Sequence, residues 1–260
     1  MLRLGLKCSY EPEQLNDRLK YNPDIIELHL YEDDLFGEKR QLLENTISML
    51  KTKGIQVFLH HPTKYHGSYL DINHEQEEDY LYFHLSTRIL ADICKTYSIQ
   101  CVIHPHYILT RTCEINKENT ENVRNEINKI LSYGRNIFLW ENSINGVFTA
   151  QNPNWFEEVV KPLNLPLTYD ISHAFISFKG NNDLLINQIK QLDTHIQYFH
   201  VVDSEGKRHD GLPLGAGRID WKPIIPYLLT RPYIYEIVLK DRTNASEMVD
   251  SHEYLLSMIE

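Results

Sequence analysis

The chain reads IFLWEN at residues 137–142, LTYDISHA at residues 167–174 and YFHVVD at residues 198–203. In each segment a short apolar run ends in a carboxylate or a histidine. Runs of this length are too short for helices and are typical of strands buried in a parallel sheet. Charged segments with helical periodicity lie between them, so the pattern predicts repeated βα units.

The same alternation extends along the whole chain. The strand candidates are residues 2–6, 25–30, 55–59, 99–103, 136–140, 167–169, 196–202 and 234–239. The helix candidates are residues 12–20, 38–53, 75–96, 116–132, 155–161, 183–192, 221–229 and 245–259. Because one (β/α)8 TIM barrel takes about 250 residues, the eight units predict a single α/β barrel domain over residues 1–260. A doubly wound open sheet is the structural alternative.

Helical and strand periodicity also predict which side chains face the core. In the longest helix candidate, one apolar face is expected to pack on the strands. Its residues are Leu81, Leu85, Ile89, Leu90 and Ile93. Strand alternation turns Trp140 and Tyr169 outward, toward the helices. No Pro-rich or Gly/Ser-rich linker divides the chain, so we expect no second domain.

Charge and composition disfavour several classes of protein. The chain carries 26 basic and 36 acidic side chains, a formal net charge of -10, which disfavours nucleic acid as a partner. The first ten residues, MLRLGLKCSY, lack the apolar region of a signal peptide, and no apolar stretch is long enough to cross a membrane. Four cysteines in no CxxC pair are typical of reduced thiols. We therefore expect a cytoplasmic protein without membrane contact, and a homo-oligomer is compatible with the sequence.

Acids and histidines end six of the predicted strands. Catalytic groups of a parallel barrel lie at these carboxyl ends. The residues are His60, His61, His104, His106, Glu141, Asp170, His173, His200, Asp203 and Glu236. One such histidine is more often a hydrogen-bonded structural residue, but burying this many charged groups at one end requires a common partner. A divalent cation would supply it.

These motifs resemble those of the xylose-isomerase-like barrels, a family that includes sugar and sugar-phosphate isomerases and epimerases together with endonuclease IV. The matching pieces are HHP at residues 60–62, HP at 104–105, EN at 141–142, DISHA at 170–174, the histidine of the seventh strand, GLPLGAGRIDW at 211–221 and the late glutamate. In this order they span essentially the whole chain.

The resemblance implies a metal centre. Glu141, Asp170, His200 and Glu236 match the shared metal ligands of the isomerases and epimerases, and this ligand set suits Zn, Mn, Co or Mg without choosing among them. In endonuclease IV, positions matching His60 and His104 hold another zinc, bridged by the equivalent of Glu141. His173 matches a third-zinc position there and a substrate contact in epimerases.

The loop after the seventh strand departs from the family pattern. Where the family has an Asp-x-His pair, this chain has His209 and Gly211, with Asp210 between them. A complete third zinc site is therefore not expected. His209 and Asp210 remain either additional metal or substrate ligands or solvated loop residues.

By the same resemblance, the expected chemistry is proton transfer beside a carbonyl through a metal-stabilised enediolate. Glu141 and Glu236 are then both ligands and acid/base groups, with His173 orienting a substrate oxygen. Lys207 and Arg208 are candidate contacts for a substrate phosphate, or solvated cations. Glu27 is either a substrate contact or a buried structural carboxylate. The expected partner is a small sugar or sugar phosphate.

Two other functions stay open at this point. Clustered zinc ions could support phosphoester hydrolysis of the endonuclease IV type, which His60 and His104 favour. The net charge, the lack of a basic or aromatic surface run, and the missing Asp-x-His pair disfavour a role in DNA repair. A barrel that binds sugar or metal without turnover would carry the same ligands.

Overall fold

The computed structural model describes residues 2–259, and its eight parallel strands close into one barrel. The strands are β1 (Gly5–Cys8), β2 (Ile25–His29), β3 (Gln56–His60), β4 (Gln100–Ile103), β5 (Phe138–Glu141), β6 (Leu167–Asp170), β7 (Ile196–Val201) and β8 (Tyr233–Tyr235). Each strand pairs with the next in chain order, and β8 pairs with β1 through Leu6 and Tyr235. The predicted single-barrel fold is confirmed, and the open sheet is excluded.

Helices surround this barrel. They are α1 (Pro12–Leu19), α2 (Gly37–Thr52), α3 (Glu77–Tyr97), α4 (Lys117–Leu131), α5 (Lys161–Leu163), α6 (Ile171–Ser177), α7 (Asn182–Leu192), α8 (Ile225–Leu228) and α9 (Ser246–Leu256). Short 3-10 helices occupy Glu32–Leu35 and Arg111–Cys113, and a hairpin pairs Lys64–Tyr65 with Ser68–Tyr69. No helix within residues 2–259 is long and apolar enough to cross a membrane.

The boundaries differ from the prediction where proline interrupts a helix or a strand is short. The predicted helix 221–229 forms only over Ile225–Leu228, because Pro223 and Pro226 lack the amide donors of a longer helix. The segment 155–161 becomes a π-helix, Phe156–Val160, and Pro162 follows two residues after its end. The last strand ends at Tyr235, so Glu236 follows the strand instead of lying within it.

The buried face of α3 also differs from the prediction. Of the five predicted residues, Leu90 and Ile93 are buried, but Leu81 is 57% exposed and Leu85 is 38% exposed. Phe83, which was not predicted to face the core, is fully buried. The core-facing stripe follows positions 83, 86, 87, 90 and 94, where Ser86 and Thr87 lie among the apolar residues. Counting only apolar residues therefore rotated the predicted face, because two small polar residues belong to the buried stripe.

The barrel interior has an apolar floor beneath its mouth. One compact cluster fills it, made of Ile25, Phe58, Val102, Leu139, Tyr198 and Ile234. The rings of Phe58 and Tyr198 stack at 4.1 Å between centroids, a contact worth about 1 kcal/mol beyond burial alone. Outward-facing side chains pack against the helices, as expected for Trp140 and Tyr169. The Tyr169 hydroxyl donates to Gln188 of α7 at 2.8 Å.

The positions of these six apolar residues determine which side chains form the next inward layer, toward the barrel mouth. Because side chains alternate along a strand, the residue two positions after each floor residue also points inward, nearer the carboxyl end. Those residues are Glu27, His60, His104, Glu141, His200 and Glu236. The barrel thus carries an apolar layer and, directly above it, a layer of acids and imidazoles.

Candidate metal centre

Two groups of possible ligands lie side by side at the barrel mouth. In the first group, one ligand atom from each residue lies within 4.8 Å of the others, and its members are Glu141, Asp170, His200 and Glu236. The second group meets the same limit and consists of His60, His104 and Glu141. Glu141 belongs to both groups. Its carboxylate therefore lies between two potential ion positions.

The DISHA motif orients Asp170. Asp170 ends β6 and caps α6, and its Oδ1 accepts a hydrogen bond from the His173 amide at 2.7 Å. An acid at this position satisfies an unpaired amide of the first helical turn. The other oxygen, Oδ2, is buried without a hydrogen-bond partner. The motif therefore fixes the carboxylate by one oxygen and leaves the second free to bind an ion.

The EN motif clamps two strand ends together. The Asn142 amide nitrogen donates to the Asp170 carbonyl at 3.0 Å, and its Oδ1 accepts from the Asp170 amide at 2.8 Å. Asn142 is fully buried. These two hydrogen bonds continue the pairing of β5 and β6 past the last residues of both strands. The pairing fixes the position of Glu141 relative to Asp170.

His200 is held from below and points its other nitrogen into the first group. Its Nε2 lies 2.8 Å from Glu27 Oε2, so the ring donates there. Its Nδ1 lies 3.2 Å from Glu141 Oε1 and 2.5 Å from Glu236 Oε2. A carboxylate behind an imidazole fixes the ring and raises its basicity, as for metal-bound histidines generally. Glu27 is thus a positioning residue below the mouth.

His60 and His173 show the same one-sided anchoring, whereas His104 Nδ1 is buried without a hydrogen-bond partner within residues 2–259. His60 Nδ1 donates to the His61 carbonyl at 2.9 Å, and its Nε2 lies 3.5 Å from Glu141 Oε2. His104 Nε2 lies 2.8 Å from the same oxygen. His173 Nδ1 donates to the Asn142 carbonyl at 2.9 Å, which leaves its Nε2 3.6 Å from Asp170 Oδ2. His60 and His173 therefore each keep one nitrogen directed at the acids.

The buried carboxylates at the barrel mouth require a compensating positive charge. Burial alone would raise the pKa of Glu141, but His104 and His200 hold it well below its usual range. Burial would lower the pKa of His200, but Glu141, Glu27 and Glu236 raise it well above its usual range. The histidine thus carries the charge that balances three surrounding carboxylates.

The residues present fit a divalent cation. Asp170 Oδ2 is buried and makes no hydrogen bond within residues 2–259, and the buried Glu141 Oε2 and Glu236 Oε2 face imidazole nitrogens of the two ligand groups. Such atoms are costly unless an ion or another partner satisfies them. Mixed carboxylate and imidazole ligands suit zinc, manganese and cobalt, and carboxylate-rich sites also suit magnesium.

Lys7 is a site residue that the sequence reasoning missed. Its Nζ donates to Glu236 Oε1 and lies 3.7 Å from Glu27 Oε1. The signal was available: Lys7 lies two residues after Gly5 on β1, the position that on most other strands carries an acid or a histidine. Gly5 itself is required there, because a Cβ would lie 1.8 Å from the Tyr233 carbonyl oxygen.

Three strand-end residues are structural instead of ligands. His61 pairs with the Pro62 carbonyl and with Ser86 Oγ of α3, both at 2.9 Å. His106 Nε2 accepts from the Phe148 amide at 3.2 Å. Both oxygens of Asp203 accept hydrogen bonds from the loop that follows β7, including those from Gly215, Ile219 and Trp221. Each side chain therefore holds a neighbouring loop or helix in place by hydrogen bonds.

The predicted loop residues lie outside both ligand groups. His209 is exposed, and its ring lies 5.0 Å from that of His173. Asp210 Oδ2 accepts from the Glu205 amide at 3.1 Å. Lys207 and Arg208 line a separate pocket beside the mouth. Of these four, only His209 reaches a residue next to the acids.

A cavity of about 760 Å³ opens from the acidic layer to solvent. Its walls include Lys7, His29 and Glu236 at the bottom and Lys64 and Arg242 nearer the surface. Within the first ligand group, Glu236 has the most exposed side chain, at 22%, against 1% for Glu141. Cavities of this size hold small molecules. Glu236 is therefore the acid that a bound small molecule would meet first.

Comparison with known proteins gives one family and many similar folds. The sequence profile of the family described as xylose isomerase-like TIM barrel matches residues 19–257. No curated protein matches the chain in sequence. Among solved structures, a D-tagatose 3-epimerase-like protein is 18% identical, with a TM-score of 0.74 over 99% of this chain and 97% of that one.

Two further structures share the fold. D-psicose 3-epimerase from Clostridium cellulolyticum, solved with D-tagatose, is 12% identical, with a TM-score of 0.72 over 100% of both chains. The TTHB071 protein from Thermus thermophilus, soaked with ZnCl2, is 15% identical, with a TM-score of 0.70 over 98% of this chain and 96% of that one. At these identities the likeness establishes the fold.

Proposed function

Because the chain belongs to the xylose isomerase-like TIM barrel family, we propose that it is a divalent-metal-dependent isomerase or epimerase of a sugar or sugar phosphate. The observation that carries the proposal is the position of two glutamates. Glu141 and Glu236 come from opposite parts of the barrel wall, lie in one ligand group, and flank His200. A carbon held between them can lose a proton to one carboxylate and gain a different proton from the other once that carboxylate is protonated.

Glu236 is suited to move the proton. Its side chain faces the cavity, and Lys7 holds one of its oxygens. Although burial alone would raise its pKa, Lys7 and His200 keep the pKa of Glu236 well below the usual range. The carboxylate is therefore ionised and ready to accept a proton. Glu141, on the other side, also has a pKa well below its usual range, so it would first take up a proton from solvent or from a substrate hydroxyl group and would then return one to the carbon.

The other residues of the site would bind the cation and orient the substrate. Glu141, Asp170, His200 and Glu236 would bind the cation, and His173 would orient a substrate oxygen through Nε2. A bound divalent cation supplies positive charge for the oxygen that becomes negative when the adjacent carbon loses its proton. The cavity walls carry both acids and bases, which suits a molecule rich in hydroxyl groups. The similar structures named as epimerases accord with this substrate class.

Solvent exchange tests the proposal directly. Purified protein with added manganese or cobalt should carry deuterium from D2O into a ketose at the carbon beside the carbonyl. Glu236→Gln should abolish the exchange. Glu253→Gln, an exposed glutamate of α9, serves as the matched control and should leave it unchanged. An absence of exchange across a broad panel of sugars, with and without phosphate, would contradict the proposal.

One observation favours a second candidate function. His60, His104 and Glu141 form a further ligand group next to the first, and paired ions of this kind support phosphoester hydrolysis. If the zinc-loaded protein nicks an abasic DNA duplex and no sugar takes up deuterium from solvent, the protein is a hydrolase and the isomerase proposal is wrong. A barrel that binds sugar and metal but does neither would be a binding protein.

A further inference from the structure

A second pocket beside the barrel mouth has an unusual charge. Its volume is about 530 Å³, and its lining contains Lys179, Lys207, Arg208 and His209 but no aspartate or glutamate. Asn145 and Gln151 add two neutral hydrogen-bonding side chains. The chain as a whole carries a net charge of -10. A pocket lined only by cationic and neutral groups is therefore opposite in sign to the rest of the protein.

The three cations of this pocket are unpaired. Within residues 2–259, the ion pairs of Lys and Arg involve other side chains throughout. Lys179, Lys207 and Arg208 are exposed, so their charge is available to a ligand from solvent. Clustered cations without counter-ions repel one another and attract an anion.

Glycine packing brings the cations together from two loops. Lys179 follows α6, whereas Lys207 and Arg208 follow β7. The backbones of these loops touch, since a Cβ on Gly206 would lie 2.5 Å from the Gly180 Cα. Lys179 also has a φ of 54°, a left-handed conformation that costs a non-glycine residue about 1 kcal/mol or more. The turn therefore holds a lysine where glycine would be less strained.

The pocket adjoins the candidate metal centre. His209 lines both this pocket and the large cavity. Its ring lies 5.0 Å from that of His173, whose Nε2 lies 3.6 Å from Asp170 Oδ2. Two successive imidazoles thus separate the acidic layer from the cations. A molecule with its reacting carbon at Glu236 and its far end at Lys207 would pass His209, which lines both cavities.

We propose that this cationic pocket binds the phosphate of a phosphorylated ketose whose carbonyl end lies at the metal centre. The inference rests on the proposed function and narrows its substrate class. Arginine pairs with two phosphate oxygens and lysine adds a point charge, which suits the mixture found here. A free sugar places only a hydroxyl group in the pocket and leaves the three cations without a partner.

A double variant tests the phosphate site. In the metal-loaded protein, Lys207→Ala with Arg208→Ala should lower the ratio of kcat/KM for a ketose phosphate over the free ketose about 100-fold, since each lost charged hydrogen bond is worth about tenfold or more. Lys53→Ala with Lys190→Ala removes two exposed, unpaired cations elsewhere and is the matched control. It should leave the ratio unchanged. A ratio that the first double variant does not alter would overturn the proposal.

A binding measurement separates this inference from the proposed function. Calorimetric titration of the zinc-loaded protein with the same ketose phosphates requires no turnover. Tighter binding of the phosphorylated than of the free sugar, lost in Lys207→Ala with Arg208→Ala, supports the pocket even if no sugar exchanges deuterium. Equal binding of the two sugars overturns it. Loss of abasic-DNA binding in the variant, with sugar-phosphate binding intact, would assign the pocket to a nucleic-acid phosphate and also overturn it.

Discussion

Glu27 and His200 meet 2.8 Å apart at the bottom of the acidic layer, although 173 residues separate them in the chain. The contact occupies Nε2 of the imidazole and leaves Nδ1 directed at Glu141 and Glu236. Both side chains are fully buried. One hydrogen bond therefore decides which nitrogen of His200 can bind an ion.

The first prediction follows from this contact. Glu27→Gln keeps the size of the side chain but removes the charge behind the imidazole, so the zinc affinity should fall about tenfold, at the lower end of effects of such partners. Competition with a chelating dye measures the affinity. Glu118→Gln on the exposed face of α4 is the control. An unchanged affinity in Glu27→Gln would show that Glu27 does not act through His200.

The second prediction concerns the number of ions. The two ligand groups share Glu141, so we expect two divalent ions per chain when zinc is supplied, about 3.5 to 4 Å apart as in other two-metal sites. His60→Ala with His104→Ala should remove one ion and leave the other, as measured by elemental analysis. The control is His66→Ala with His74→Ala, two histidines outside both groups. A single ion in the parent protein, unaffected by the first double variant, would return His60 and His104 to a structural or substrate-contact role.

The third prediction uses Lys7. Lys7→Met removes the cation that holds Glu236, so kcat for deuterium exchange should fall about 10- to 100-fold, the usual loss for one charged hydrogen bond. KM and zinc content should change little, because no proposed ion ligand is removed. Lys7→Arg should restore part of the rate, and Lys53→Met is the control. Loss of zinc in Lys7→Met would instead indicate that Lys7 supports the ligand group as a whole.

The fourth prediction separates Asp203 from the metal ligands. Its carboxylate accepts from four donors of the loop after β7, namely the amides of Ser204, Gly215 and Ile219 and the indole of Trp221. Asp203→Asn replaces one of the two acceptor oxygens by an NH2 group, which cannot accept a hydrogen bond from the two donors that face it. The free energy of unfolding should therefore fall by about 3 kcal/mol. Asp33→Asn, at a side chain that is 74% exposed, should change it by less than about 1 kcal/mol.

Denaturant unfolding measures both Asp203→Asn and Asp33→Asn, and metal analysis of the folded protein completes the test. Zinc content should stay the same in Asp203→Asn, because this carboxylate has no free oxygen for an ion. Loss of zinc without loss of stability would make Asp203 a ligand and contradict its structural role.

Much of the site could be predicted from the sequence because side-chain direction in a strand is a local property. Alternation places His60, His104 and Glu141 two residues beyond inward apolar residues, whatever the rest of the chain does. Counted from Gly5, the same alternation places Lys7 in this layer, although the sequence analysis did not single it out. The DISHA and EN motifs act within or between adjacent strand ends, so their geometry is also largely local.

Only the tertiary structure decided which inward residues meet. Barrel closure sets Glu27 under His200 across the interior, and it pairs β1 with β8 so that Lys7 lies beside Glu236, because strand tilt and register determine these contacts. The placement of the loop cations is likewise not local, because the packing of Gly180 on Gly206 joins cations of separate loops in one pocket. Periodicity gives each side chain its direction, whereas its partner depends on chain closure over more than a hundred residues.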